Sequence, residues 1–238
     1  MKMKRSHLFL LSILMFVLFT NVMKVEAVNT GFQTNHLTGE EKNTFISNIN
    51  ILPINKEPTK STIKCFDVNN NHLIAIGQNV SERKTICVYS NEGVFQYGYT
   101  FSCNGDFGIE WNGENLNIYF VRSDVIVSVA PNGEVLDVLE VQNTIDNNSY
   151  VNHFIHSTQR VIDDKEYVIE NNPRIFDWVT ASYSQVIVKD ETGTETTIYD
   201  AGSVQLFNVV VAIGIVFAFV MVAVVTIVLQ FIKLRRSN

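Results

Sequence analysis

The chain has 238 residues, three cysteines and a formal net charge of −6. Three cysteines allow one disulfide among Cys65, Cys87 and Cys103 and exclude a framework of several, and a chain of this size can bury a core without such cross-links. The acidic balance argues against nucleic acid or a bare anionic membrane surface as a partner, because both would repel the chain.

The first 27 residues have the pattern of a secretory signal peptide. Basic side chains at Lys2, Lys4 and Arg5 precede an apolar run from Leu8 to Phe19, and the small residues around Ala27 form a cleavage site. This pattern predicts export of the chain and cleavage after Ala27. An uncleaved N-terminal anchor is the alternative.

Residues 28–62 are polar and are interrupted by Pro53 and Pro58. They are predicted to form an arm or linker. A short strand around Phe45 to Leu52 could pack on the main domain, because its apolar side chains need to be buried.

Residues 63–203 contain repeated units. The unit at 66–101 aligns with the unit at 109–141, with Asp67 over Glu110 and Gly93 over Gly133. A third, more divergent unit begins near His156 and ends at residues 184–200, with its glycine at position 193.

Each unit is predicted to form a small antiparallel meander. Its short runs are rich in β-branched and aromatic residues, as strands are. The tetrads that end at Gly93, Gly133 and Gly193 suit a type I turn followed by a glycine with positive φ, which joins antiparallel strands. Long helical periodicity is absent between the two apolar terminal segments, so the exported domain is predicted to be nearly all β.

Two segments resemble the blades of β-propellers. Residues 111–119, WNGENLNIY, resemble a common blade opening, and residues 125–135, VIVSVAPNGEV, resemble a blade hairpin. The resemblance covers residues 63–200 and implies four-stranded sheets arranged around an axis. Only three units are visible, whereas propellers typically have four or more blades. Residues 28–60 could supply strands for a further partial blade, the sheets could form an open stack, or several chains could assemble a ring.

The C-terminal region carries 21 uncharged, almost wholly apolar residues, Val209–Leu229. This length spans about 30 Å as a helix, so residues 204–232 are predicted to cross a membrane. Residues 233–238 form a short tail whose side chains Lys233, Arg235 and Arg236 place it in the cytoplasm. The predicted topology is a single-pass type I protein of the cell membrane. The frequent use of Asn, Ile and Lys residues suggests a low-GC genome and a bacterial source.

The charge of the exported part follows from this topology. The leader contributes +3 and the tail +3 to the total of −6, which leaves −12 on residues 28–203. Solubility explains such a charge, and cationic partners are compatible with it.

The sequence shows no catalytic motif, and no cofactor or metal is predicted. His153 and His156 would meet on a helical turn, but the local pattern favours a strand or loop, where they would face opposite ways. Asp67 begins a calcium-like loop that lacks the turn glycine and the bidentate glutamate. A candidate binding surface consists of carboxylates beside aromatic rings: Asp106, Phe107, Glu110 and Trp111.

The favoured function is that of a non-catalytic extracytoplasmic module that binds a protein, peptide or glycan and could be a subunit of an envelope complex. The alternative is a membrane-tethered polysaccharide hydrolase or lyase of propeller type, which would gather two carboxylates in one concave site. The expected partners are the bilayer and one such ligand. Gly214 and Ala218 could bring two membrane helices together in an oligomer.

Overall fold

The computed structural model describes residues 29–80, 83–172, 177 and 180–237, and only the backbone of residues 228 and 230–237. The predicted signal peptide, including the cleavage position at Ala27, lies outside these residues. In chain order the strands are β1 (Thr34–His36), β2 (Leu52–Ile54), β3 (Ile63–Val68), β4 (Ile74–Val80), β5 (Arg83–Tyr89), β6 (Phe95–Phe101), β7 (Phe107–Asn112), β8 (Asn115–Phe120), β9 (Val125–Val129), β10 (Val135–Val141), β11 (Gln159–Ile162), β12 (Lys165–Glu170), β13 (Gln185–Lys189) and β14 (Glu195–Asp200). The helices are α1 (Gly39–Ile49), α2 (Ile145–Tyr150), which continues into a π-helical turn (Val151–Ile155), and α3 (Gly202–Ser237).

The strands form three antiparallel sheets, one for each predicted repeat unit. Sheet I has the order β2-β6-β5-β4-β3, sheet II the order β1-β10-β9-β8-β7, and sheet III the order β11-β12-β13-β14. Consecutive strands pair as neighbours, for example Ile76 with Cys87 in sheet I and Ile118 with Val127 in sheet II. The mainly β fold of antiparallel meanders is therefore confirmed.

Sheet I is buried on both faces. Alternate residues of a strand point to opposite sides, so Cys65 packs toward sheet II while Phe66 packs toward sheet III. Strand β3 contacts both β7 and β11, which places sheet I between the other two. The strands β3, β4 and β5 of sheet I consequently consist of almost continuous buried runs.

Each unit forms a four-stranded antiparallel meander, but the propeller that the resemblance implied is not confirmed. The described strands form an open stack of sheets in the order III, I, II and no closed ring. Residues 28–60 do not build a further blade. They add β2 to the outer edge of sheet I and β1 to the outer edge of sheet II.

The prediction of a short strand from Phe45 to Leu52 is wrong over most of its length, because residues 39–49 form helix α1. Thr38 and Glu41 form a capping box: the Thr38 Oγ1 accepts from the Glu41 N–H, and the Glu41 carboxylate accepts from the Thr38 N–H. Phe45 and Ile49 then share one helical face that packs on the core between sheets I and II.

The predicted turns are confirmed in all three sheets. Gly93, Gly133 and Gly193 have φ values of 78°, 89° and 79°. In each turn the glycine N–H donates to the backbone carbonyl of the first residue of the tetrad, with an N···O distance of 2.9–3.0 Å. The same local sequence therefore closes the outer hairpin of every unit.

Replacing these glycines by alanine is expected to lower the free energy of unfolding by different amounts. At Gly193 a Cβ meets nothing within 4 Å, so Gly193→Ala should cost only the left-handed strain of about 1–2 kcal/mol. At Gly93 the Cβ would lie 2.7 Å from the Ile198 carbonyl oxygen, so Gly93→Ala should cost more. Thermal unfolding measures both. Gly39→Ala is the control, because it has open space and no positive φ; equal losses in all three variants would contradict the argument.

Candidate functional site

The first strands of the three units bring buried polar side chains together. Asp67 lies near the end of β3, Glu110 near the end of β7, and Arg160 within β11. All three are more than nine-tenths buried. Because buried charges need partners, their contacts determine what this region can do.

Asp67 and Arg160 form an ion pair between sheets I and III. The Arg160 Nε donates to Asp67 Oδ1 at 2.6 Å, and the Trp111 backbone N–H donates to Asp67 Oδ2 at 2.7 Å. Burial raises the pKa of Asp67, and the adjacent guanidinium of Arg160 opposes that shift. Arginine stays protonated in proteins, so the Asp67 carboxylate serves as its counter-charge.

The remaining contacts of Arg160 hold its side chain in place. Its Nη1 donates to the Gln159 carbonyl at 2.9 Å and its Nη2 to the Phe154 carbonyl at 2.8 Å. The guanidinium lies 4.3 Å from the ring centre of Phe154 and 5.4 Å from that of Phe66. Arg160 therefore ties the π-helical turn and β11 to β3.

Glu110 belongs to a second polar group behind β7. Its Oε1 accepts from Asn117 Nδ2 at 3.0 Å, and its Oε2 accepts from the Tyr150 hydroxyl at 2.9 Å. Burial raises the pKa of Glu110, and the hydrogen bonds from Thr30, Asn117 and Tyr150 only partly offset this. Glu110 thus links sheet II to helix α2.

The raised pKa of Glu110 predicts a pH dependence of stability. The folded protein holds this proton more tightly than the unfolded chain, so the contribution favours folding below the ordinary pKa of 4.5 and is lost as pH rises through the higher folded value. Glu110→Gln should flatten the decrease in stability in this window, as measured by unfolding at several pH values. Glu114→Gln at an exposed position is the matched control, and an unchanged slope in Glu110→Gln would refute the assignment.

A cleft of about 690 Å³ opens where the inner strands end, and we call it the hub cleft. It is lined by the β3–β4 and β7–β8 hairpins, the π-helical turn and β11. The lining residues are Asp67, Val68, Asn69, Asn70, Asn71, Trp111, Gly113, Glu114, His153, Phe154, Ser157, Gln159, Arg160, Val161 and Ile162. Its volume lies within the range of about 300–1,000 Å³ found for small-molecule sites.

Helix α3 contacts the opposite end of the sheets. Gln205 is fully buried, and its Nε2 donates to Asn171 Oδ1 at 2.6 Å and to the Ser182 carbonyl at 3.2 Å. Thr62, which immediately precedes β3, lines a small cavity against Val209 of the helix. The hub cleft lies at the other end of β3, about 20 Å away for a six-residue strand.

Beyond these first turns, α3 is exposed and apolar. Residues Gly202–Ile227 are long and apolar enough to cross a membrane. The backbone remains helical through Lys233, Arg235 and Arg236, the basic residues that follow the apolar stretch. The described residues therefore contain one helix that fits a transmembrane span.

The four residues of the candidate surface are distributed over different environments. Trp111 reaches the hub cleft near the end of β7. Asp106 is exposed and immediately precedes the first residue of this strand. Phe107 packs in the core beside Phe101, with ring centres 5.2 Å apart, and Glu110 is buried behind the sheet. The structure thus brings only Trp111 to the cleft. The binding role of this set stays a prediction.

Sequence reasoning missed Arg160, Asn69 and Tyr150. The alignment of Asp67 with Glu110 was a usable signal, because acidic residues repeated at one strand position inside apolar runs need partners. His153 and His156 lie on and just after a π-helical turn, not on the expected strand or loop, and the His153 Nδ1 lies 2.9 Å from the Ser149 carbonyl. Within the described residues, no group of three or more His, Cys, Asp or Glu could hold a metal ion.

The three cysteines are free thiols. Cys65 and Cys87 are buried in the cores on opposite faces of sheet I, so the sheet separates them. Burial raises the pKa of the Cys87 thiol to about 12, which makes it unreactive near neutral pH.

The chain matches no protein-family model, and comparisons with curated proteins and with solved structures give no significant match.

Proposed function

We propose that this protein is a membrane-anchored, non-catalytic binding module that takes its ligand in the hub cleft. The observation that carries the proposal is the position of the cleft at the end of β3 opposite to the contact with helix α3. A cleft on that side faces away from the membrane that α3 would cross. A ligand outside the cell could then reach it.

The topology is part of the same proposal. The N-terminal leader would direct the head, residues 29–201, out of the cytoplasm, and the basic residues after the span would keep the C-terminus inside. The hydrogen bonds of the Gln205 side chain support a fixed attachment of the head. They join the first turn of α3 to Asn171 and Ser182, which precede β13. The head would therefore present the cleft in a defined orientation.

A binding role is favoured over hydrolysis by the bonding of the carboxylates. A glycosidase needs one carboxyl group that can donate a proton and another free to act as base or nucleophile. Asp67 is engaged by Arg160 and by the Trp111 N–H, and Glu110 by Asn117 and Tyr150. Release of reducing ends from a polysaccharide by the purified protein would favour the hydrolase.

Photo-crosslinking in intact cells tests the cleft. A benzoyl-phenylalanine at Val161, which is 64% exposed and lines the cleft, should form a covalent adduct with the bound ligand. The same group at Leu136, 48% exposed and outside the cleft, is the control. Adducts that form equally at both positions, or at neither, would contradict a binding role for the cleft.

A further inference from the structure

The hub cleft offers two amide groups that the fold leaves free. Asn70 and Asn71 are exposed, and their side-chain amides bond to no described residue. The neighbouring Asn69 is 6% exposed, and its Oδ1 accepts from the Asn71 and Leu73 N–H groups. Asn69 therefore holds the turn that carries Asn70 and Asn71. An amide both donates and accepts hydrogen bonds, as a sugar hydroxyl does.

An indole ring lies in the same cleft in a fixed position. The backbone N–H of Trp111 donates to Asp67 Oδ2, and its Nε1 donates to the Asp67 carbonyl at 3.3 Å. Val161 and Ile162 add apolar surface to the lining of the cleft. This combination suits a ligand with both C–H faces and hydroxyl edges.

The charges in the cleft disfavour an anionic ligand. Arg160 is the one arginine or lysine among the lining residues, and its Nε, Nη1 and Nη2 donate to Asp67, Gln159 and Phe154. Glu114 is exposed at the rim, and the body of the chain carries an excess of acidic groups. A phosphate, an acidic sugar or a peptide carboxylate would therefore meet no free arginine or lysine among these residues.

We propose that the hub cleft binds a neutral glycan, with the amides of Asn70 and Asn71 facing its hydroxyl groups and Trp111 facing a sugar ring. The proposal rests on the proposed binding role of the cleft. A cavity of about 690 Å³ accommodates a short oligosaccharide.

A direct binding measurement tests this ligand class. The full chain is placed in lipid nanodiscs, since a maltoside detergent would itself present a disaccharide. It is titrated with chitotriose, cellotriose and maltotriose, and with a heparin-derived tetrasaccharide and a pool of soluble peptides as competing classes. At least one neutral trisaccharide should bind, and Asn70→Ala combined with Asn71→Ala should weaken that binding about tenfold or more, because two hydrogen bonds are lost.

Asn104→Ala is the matched control, since this exposed asparagine lies in the loop before the start of β7 and does not line the cleft. Its affinity should equal that of the unchanged protein, and all variants should unfold at the same temperature. Preference for the acidic sugar or for peptides would overturn the glycan assignment, as would an equal loss of affinity in the control. Binding of no sugar, together with a specific adduct at Val161, would overturn the glycan class while leaving the binding module intact.

Discussion

Replacing Arg160 by alanine is expected to lower the free energy of unfolding of the head by about 3–5 kcal/mol. The variant would leave the Asp67 carboxylate, which is buried between β3 and β11, without its counter-charge. It would also leave the Phe154 carbonyl without the donor at Nη2. For a domain of this size the loss corresponds to a decrease in melting temperature of about 6–20 °C.

Circular dichroism during heating measures this change in the solubilised full chain. The control is Lys189→Ala, which removes the exposed pair with Glu195 and should cost less than about 1 kcal/mol, because such pairs are largely solvated. A double variant, Arg160→Met with Asp67→Leu, should recover part of the loss, since no unpaired charge remains. If Arg160→Ala were no worse than Lys189→Ala, the buried pair would not hold sheets I and III together.

The second large effect is expected at Phe101, whose ring is fully buried between sheets I and II. Its ring centre lies 5.2 Å from that of Phe107 and 5.5 Å from that of Phe120. Phe101→Ala removes these contacts and leaves a cavity, so it should cost about 3–5 kcal/mol. Thermal or urea unfolding of the solubilised protein measures the loss.

Val94→Ala provides the comparison for Phe101→Ala, because Val94 is 58% exposed and its truncation should change stability by less than about 0.5 kcal/mol. Phe101→Leu should be intermediate, since it fills part of the cavity. A small effect of Phe101→Ala would mean that sheets I and II do not share the core described above.

The repeats and turns could be predicted because they depend on local chemistry. The glycines at 93, 133 and 193 each supply a positive φ, and the apolar runs on either side form the outer hairpin. The long apolar helix α3 could be predicted from length and hydrophobicity alone. These features need no knowledge of distant contacts.

The arm and the cleft depend on distant contacts, so the sequence showed them poorly. The spacing of Phe45 and Ile49 is compatible with one face of a helix as well as with a strand. The capping box at Thr38 stabilises the helix. Arg160 meets Asp67 across 93 residues, and only the stacking of sheet III on sheet I brings them together. Phe107 and Trp111 are close in sequence, yet one faces the core and the other the cleft.

Site-directed cysteine labelling on intact cells tests the central claim, that the head and its cleft lie outside while α3 crosses the membrane. In a Cys103→Ser background, Glu114→Cys is exposed at the cleft and Ser237→Cys ends the helix. A membrane-impermeant maleimide should label Glu114→Cys on intact cells and Ser237→Cys only after permeabilisation. Labelling of Ser237→Cys from outside, with Glu114→Cys protected until the cells are opened, would contradict the account.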